Sequence, residues 1–339
     1  MKKLTVLLLV SIVFCFLSCA RNIKNVVYPA LNDDQYDSEF PYKNSSRELE
    51  KIAEAVHMVI YTAYYKTYYF ERETKLREKD ISESAMKKCK SIDFYNHSVS
   101  GTVTVFYSSF SNVALLASAH NVNKPDTLIS YFGKESTFIQ SVSIKQRERI
   151  YVPDLPGDGL VEILIQDKKQ DIAILSKSYS QPLKMPLAIL EYPFGSAKKL
   201  QWGSFVYLLG YPKGLKMITR GIVSDPNRDE RGNFLVDAMI NRGFSGGIIL
   251  AIKDGAPNFE FVGIGISTSS DGGLYLVPDM DDYDSEKFIY DGDIYVERKN
   301  FINYGICRAV SVETFIDLMK SNKEYLDKKG FYFSDLYAK

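Results

Sequence analysis

Residues 240–250 read INRGFSGGIIL, and the fold of this 339-residue chain turns on how they are read. Ser245 stands among Gly243, Gly246 and Gly247, with apolar residues on either side. Glycine inside a strand costs conformational entropy and packs nothing. Three of them around one hydroxyl point to a role for the backbone itself, either a tight turn or N–H donors aimed at something.

Working outward, the surrounding sequence is β in texture. From residue 98 short runs rich in Val, Ile, Thr, Phe and Tyr alternate with turn residues. They are SGTVTVFY, NVALLASA, TFIQSVSI, LVEILIQ, IAIL, SFVYLLGY, FLVDAMI, GGIILAI and FEFVGIGIS. Many short strands at near-regular spacing predict a sandwich or barrels. The stretch SVETFIDLMKSNKEYL (311–326) has helical spacing and predicts a terminal helix. No glycine-rich phosphate loop and no internal repeat stands out.

Two further stretches complete a chemical set with Ser245. LLASAHNV ends a β run with His120 at its edge, and QDIAIL opens an apolar strand with Asp171. A serine hydroxyl is a poor nucleophile at its own pKa. A neutral imidazole can take its proton and return it to a leaving amine, while a carboxylate fixes the tautomer and stabilises the imidazolium. The attacked carbonyl becomes an oxyanion that needs preorganised donors, which Gly243 and Ser245 N–H groups can supply.

ASAH, DIAIL and GFSGG in this order resemble the three signatures of the chymotrypsin-like serine proteases. The closer likeness is to the bacterial HtrA (Deg) branch, whose motifs read approximately TNAH, DLA and NPGNSGG. GSFVYLLGYPKGLKMITRGIVS (203–224) and VDAMINRGFSGG (236–247) extend it, and about residues 98–320 are covered. The resemblance implies an all-β fold of two six-stranded antiparallel barrels and a serine endopeptidase acting on protein or peptide substrates without a cofactor or metal. It implies His120 as general base, Asp171 as its orienter, Ser245 as nucleophile, and Gly243 with Ser245 as oxyanion hole. Met239, six residues before the nucleophile, would floor the S1 pocket and favour an apolar P1. FVGIGIS (261–267), with Ile264, Gly265 and Ile266, would pair with an extended substrate backbone.

The chain also departs from the family. Phe244 replaces the Asp or Asn that precedes the serine, so activation by a new N-terminus binding that Asp is excluded. No PDZ module is expected after the second barrel. A protease fold retained as a binding module, or a structural lipoprotein, are the competing readings; the complete His–Asp–Ser set weighs against them.

The N-terminus MKKLTVLLLVSIVFCFLSCA has a basic start, a short apolar run and small residues, the pattern of a secretory signal peptide (1–19). FLSC resembles a bacterial lipobox, with Cys19 as the lipidated residue; cleavage near Ala20 and an uncleaved anchor are the alternatives. The expected location is the bacterial cell envelope, with the membrane reached through that N-terminus. Residues 20–44 read as a tether. Ser45 with Glu48 forms a capping-box pattern, and Leu49, Ile52, Ala53, Val56, Val59, Ile60 and Ala63 recur at helical spacing. They predict a helix to about residue 66 with His57 beside its stripe, a second near 81–90, and a helical extension over 45–97. The peptidase domain would then occupy 98–326, with a tail at 327–339.

Lys plus Arg and Asp plus Glu number 42 each, which argues against a nucleic-acid partner. Composition leaves the oligomeric state open. Export permits a disulfide between Cys89 and Cys307; two separate buried thiols are the alternative. The insertion at 268–303 carries Asp279, Asp281, Asp282 and Asp284 without EF-hand spacing, so it reads as a solvated acidic loop beside the cleft rather than a calcium site.

Overall fold

The computed structural model describes residues 33–41, 43–133, 136–278, 292–333 and 336. The leader, Cys19 and most of the tether lie outside the described residues, as do Asp279, Asp281, Asp282 and Asp284. Among the described residues, no helix is long and apolar enough to cross a membrane.

The first departure from expectation comes early. Helix α1 spans Ser46–Glu54, and strand β1 follows at once over Val56–Tyr69. The predicted capping box does not form, since the Ser45 side chain makes no cap bond and Asn44 Oδ1 instead accepts from Ser46 N at 2.9 Å. Val56, Val59, Ile60 and Ala63 do fall at helical spacing. Val59, Tyr61, Ala63 and Tyr65 also alternate and are all buried, whereas Ile60 is only partly so. The segment is dense in β-branched and aromatic residues, which suit a pleated surface. The deciding term is pairing on both edges, with β2 (Ser91–Ser108) on one side and β5 (Ile139–Tyr151) on the other. His57 accordingly lies on a strand, its ring 3.5 Å from Asp154. Burial is the main cause that pushes its pKa below the ordinary value. The expected second helix shrinks to the single turn α2 (Glu83–Met86), whose first-turn N–H of Ala85 donates to Ser82 Oγ at 3.2 Å.

The remaining first-barrel strands are β3 (Asn112–Ala117), β4 (Thr127–Tyr131), β6 (Leu160–Asp167) and β7 (Ile172–Ser178). The order β1-β2-β3-β7-β6-β5 closes through β1–β5 into a six-stranded antiparallel barrel, with β4 added outside β5. The barrel therefore begins at Val56, upstream of residue 98, and takes its closing strand from the segment expected to be helical. Tyr61 is fully buried and its hydroxyl donates to Glu148 at 2.6 Å. Tyr61→Ala should destabilise the protein by about 3–5 kcal/mol, as for other buried aromatic truncations. A shift of that size in the urea-unfolding free energy checks it; a surface-like change below 1 kcal/mol, roughly, would remove β1 from the core.

The second barrel closes in the order β10-β13-β12-β11-β8-β9. Its strands are β8 (Phe205–Gly210), β9 (Met217–Asp225), β10 (Phe234–Ala238), β11 (Gly247–Ile252), β12 (Phe259–Pro278) and β13 (Ile294–Ser311). Both barrels are six-stranded and antiparallel, as the sequence led us to expect. The described flanks of the 268–303 insertion form a ribbon, in which β12 and β13 stay paired from Ser270↔Ile302 to Pro278↔Ile294.

The terminal helix forms as α4 (Val312–Ser321), capped by Ser311 Oγ, followed by α5 (Lys323–Lys328). Phe315 of α4 meets Phe106 of β2 edge-on at 5.0 Å between centroids and Phe261 of β12 at 6.3 Å. One core cluster thus joins both barrels and the C-terminal helix. Cys89 and Cys307 are both free and lie in different clusters. Burial pushes the Cys307 thiol up to about 12, which makes it a packing group rather than a reactive thiolate. Iodoacetamide should leave Cys307 unmodified in the folded protein and alkylate it after unfolding, a difference read by peptide mass.

Candidate active site

The register of one strand pair places two of the three expected side chains. Ala117 of β3 pairs with Ala173 of β7, so the residues just past β3 face those just before β7. His120 lies on the single turn α3 (Ala119–Val122), and Asp171 lies immediately before β7. Asp171 adopts φ of 57°, in the left-handed region that Asp tolerates better than most residues. In that conformation it holds the α3 turn at three points. Its carbonyl accepts from Ala119 N at 3.2 Å, its Oδ1 from His120 N at 2.8 Å, and its Oδ2 contacts His120 Nδ1 at 2.6 Å. With the proton of that last bond on Nδ1, Nε2 is left as the acceptor.

Ser245 comes from the second barrel and is gripped by the first. Its carbonyl accepts from Thr102 N on β2 at 2.9 Å and from Asn121 Nδ2, beside His120 on the α3 turn, also at 2.9 Å. Gly246 follows with φ of 90°, and a Cβ there would sit 2.1 Å from the Thr102 carbonyl oxygen. Only glycine permits so close an approach. Among the described residues no hydrogen bond joins the Ser245 hydroxyl to His120. Such bonds are often long without substrate and tighten when it arrives.

The loop before Ser245 is a turn of defined type. Phe244 N donates to Asn241 O at 3.1 Å, and Gly243, third of the four residues, has φ of 93°. A positive φ there marks a type II turn. The Arg242 carbonyl accepts from Lys213 N at 2.7 Å. A trans peptide is planar, so the Gly243 N–H points opposite to that anchored carbonyl. Among the described residues, neither the Gly243 N–H nor the Ser245 N–H has a backbone acceptor. They are two donors left available beside one hydroxyl.

Phe244 explains how this loop is held without an acidic residue. It is 2 % exposed and packs in the core of the second barrel. Its ring fills the space that Gly210, Gly247 and Gly265 leave, for a Cβ on any of the three would come within 2.8 Å of a ring carbon. An apolar anchor stands where an ion pair is expected in the digestive branch.

Met239 is 73 % exposed, so it lies open to solvent rather than enclosed as a pocket floor. Ile264 is 1 % exposed and paired on both sides, with Ile248 of β11 and Val310 of β13. Its backbone is thereby committed within the sheet, which corrects its assignment to substrate. The β11 ladder ends at Gly247↔Gly265, and Gly265 O already accepts from Gly246 N. Ile266 is the first β12 residue beyond that ladder, at a break in the β13 register. Thr102, Asn121 and Lys213 escaped the sequence reading. Asn121 adjoins His120 and was within reach, whereas Thr102 looks like any polar member of an alternating strand. Among the described residues, no cluster of His, Cys, Asp and Glu could hold a metal ion.

Compared with protein families, residues 101–264 match the trypsin-like peptidase domain. That match and the two closed barrels agree. This chain carries a trypsin-like peptidase domain with a chymotrypsin-like fold. No curated protein matches the sequence. The matched span begins inside β2 and ends inside β12, so the β1 and β13 strands that complete the two barrels flank it on either side.

Proposed function

We propose that this trypsin-like peptidase domain is an active serine endopeptidase working through His120, Asp171 and Ser245. The observation that carries the reading is the Asp171 grip on His120, through both carboxylate oxygens, beside a Ser245 whose carbonyl is clasped by Asn121 of the same turn. A purely structural Asp would not need to fix both the backbone and the ring of one histidine.

The chemistry follows from these atoms. Ser245 Oγ attacks the scissile carbonyl carbon while His120 Nε2 takes its proton. The Asp171 carboxylate stabilises the imidazolium and holds its tautomer. The carbonyl oxygen, now negative, accepts from Gly243 N–H and Ser245 N–H. Collapse of the tetrahedral species expels the amine, which takes the proton from His120, and leaves an acyl-enzyme on Ser245. Water, deprotonated by His120, attacks the ester, and His120 returns that proton to Ser245 Oγ as the C–O bond breaks and the acid leaves. An extended substrate would lie along β12 beyond Gly265, and Met239 offers an apolar neighbour to a P1 side chain. The leader and Cys19 support export and attachment to the bacterial cell envelope.

A fluorophosphonate probe tests this reading directly, because an activated serine attacks its phosphorus with loss of fluoride. The protein lacking residues 1–19 should label, and its Ser245→Ala variant should not. Equal absence of labelling in both would sink the proposal and favour a binding role for the same cleft.

A further inference from the structure

We infer that Thr102 is a positioning residue for the oxyanion donors, an inference that rests on the peptidase reading above. Thr102 lies on β2, in the other barrel from the loop it touches, and is 0 % exposed. Its hydroxyl does two things. It donates to the Gly243 carbonyl at 2.8 Å and accepts from Tyr211 N at 2.8 Å. Its backbone N–H donates to the Ser245 carbonyl at 2.9 Å. One residue therefore holds the carbonyl of the oxyanion glycine, the carbonyl of the nucleophile, and the start of the segment whose Lys213 N holds Arg242 O.

The consequence is geometric. Two successive peptide planes define where Gly243 presents its N–H and where Ser245 begins. The Arg242–Gly243 plane is fixed by Lys213 N, and the Gly243–Phe244 plane by the Thr102 hydroxyl. Because peptides are planar, fixing each carbonyl fixes the opposite N–H. The Tyr211 bond ties the two anchors together, since Tyr211 and Lys213 belong to one short segment. A hydroxyl has one proton to donate and lone pairs to accept, so Thr or Ser can serve here, whereas Ala and Val cannot. Without it, the Gly243–Phe244 plane can turn about a φ that glycine tolerates in either sign, and the Ser245 N–H is no longer held beside the Gly243 N–H that Lys213 fixes. Thr102 contacts no reacting atom; it acts through Gly243 and Ser245.

The test compares T102A with T102S, which differ by the hydroxyl alone. The readout is the second-order rate of fluorophosphonate labelling across pH, with thermal unfolding followed in parallel. T102A should label about 10–100-fold more slowly on the plateau, somewhat less than the loss of an oxyanion donor itself. The midpoint of its pH profile should not move, because His120 and Asp171 are untouched. T102S should recover most of the rate. Wild-type labelling by T102A, equal slowing in T102S, or a shifted pH midpoint would each overturn the inference. Should T102A not fold, T102V keeps the side-chain shape and makes the same comparison with T102S. If the wild-type protein itself fails to label, the peptidase reading fails and this inference falls with it. If the wild type labels and T102A keeps pace, this inference alone fails.

Discussion

His120→Ala and Ser245→Ala are each expected to reduce peptide hydrolysis by about 10⁶-fold, and the double variant by little more, because residues acting as a unit are not additive. In the proposed mechanism the imidazole and the hydroxyl perform one proton transfer between them, so losing either leaves the other without a partner in it. Asp171→Asn should cost less, about 10⁴-fold, and the hydrogen bonds say why. Asp171 offers one oxygen to His120 N and the other to Nδ1. An Asn can keep a single oxygen. If that oxygen stays on the backbone N–H, its NH₂ faces Nδ1 and forces the imidazole proton onto Nε2. The ring would then present a donor to Ser245 where a base is required. Hydrolysis of a fluorogenic peptide library by the three single variants and the double variant measures the pattern. A double variant far below either single would contradict concerted action, and an Asp171→Asn enzyme at full rate would show that the grip on His120 serves the fold only.

Phe244→Ala is expected to destabilise the protein by about 3–5 kcal/mol, the cost of emptying a fully buried aromatic site. The surroundings place it toward the upper end. Gly210, Gly247 and Gly265 line the ring and have no side chains with which to fill the space, so the cavity cannot relax cheaply. The same variant should label poorly with fluorophosphonate even at temperatures where it stays folded. Phe244 stands between Gly243 and Ser245, the proposed oxyanion donors, and its burial in the second-barrel core anchors the turn. Phe244→Leu refills most of the volume and should restore both stability and labelling in large part. Phe244→Asp, which recreates the residue type usual in the digestive branch, should be worse than Ala, because the described residues of this apolar cluster offer a carboxylate no charged partner. Urea unfolding and labelling rates on the four proteins give the answer. An Ala variant as stable and reactive as the parent would mean that the loop is held elsewhere.

The nine apolar runs read from residue 98 onward all fall on strands, and the terminal helix forms where its spacing puts it. Alternation is a local signal, and local signals survive in a sequence. The β1 segment shows the limit. Val56, Val59, Ile60 and Ala63 satisfy a helical period, and Tyr61 and Tyr65 only count as core residues once a sheet covers them on both edges. Its pairing partners lie up to about ninety positions away, beyond any window in which a period can be read.

The same division runs through the site. His120, Asp171 and Ser245 were legible because each sits in a short motif, and their side chains would carry the proposed chemistry. The sequence alone points to those three positions, predicts the two-barrel class that the fold shows, and argues against activation through an acidic residue before the serine. The folded chain alone shows that Phe244 anchors the turn, that Ile264 is sealed within the sheet, and that Thr102 holds the Gly243 and Ser245 carbonyls. The reason is physical. Those arrangements are made largely by backbone groups, which every residue possesses, and the Thr102 hydroxyl reaches Gly243 across a separation of 141 positions. A hydrogen bond to a main-chain carbonyl imposes no residue type on its acceptor, so it leaves no pattern until the chain has folded around it.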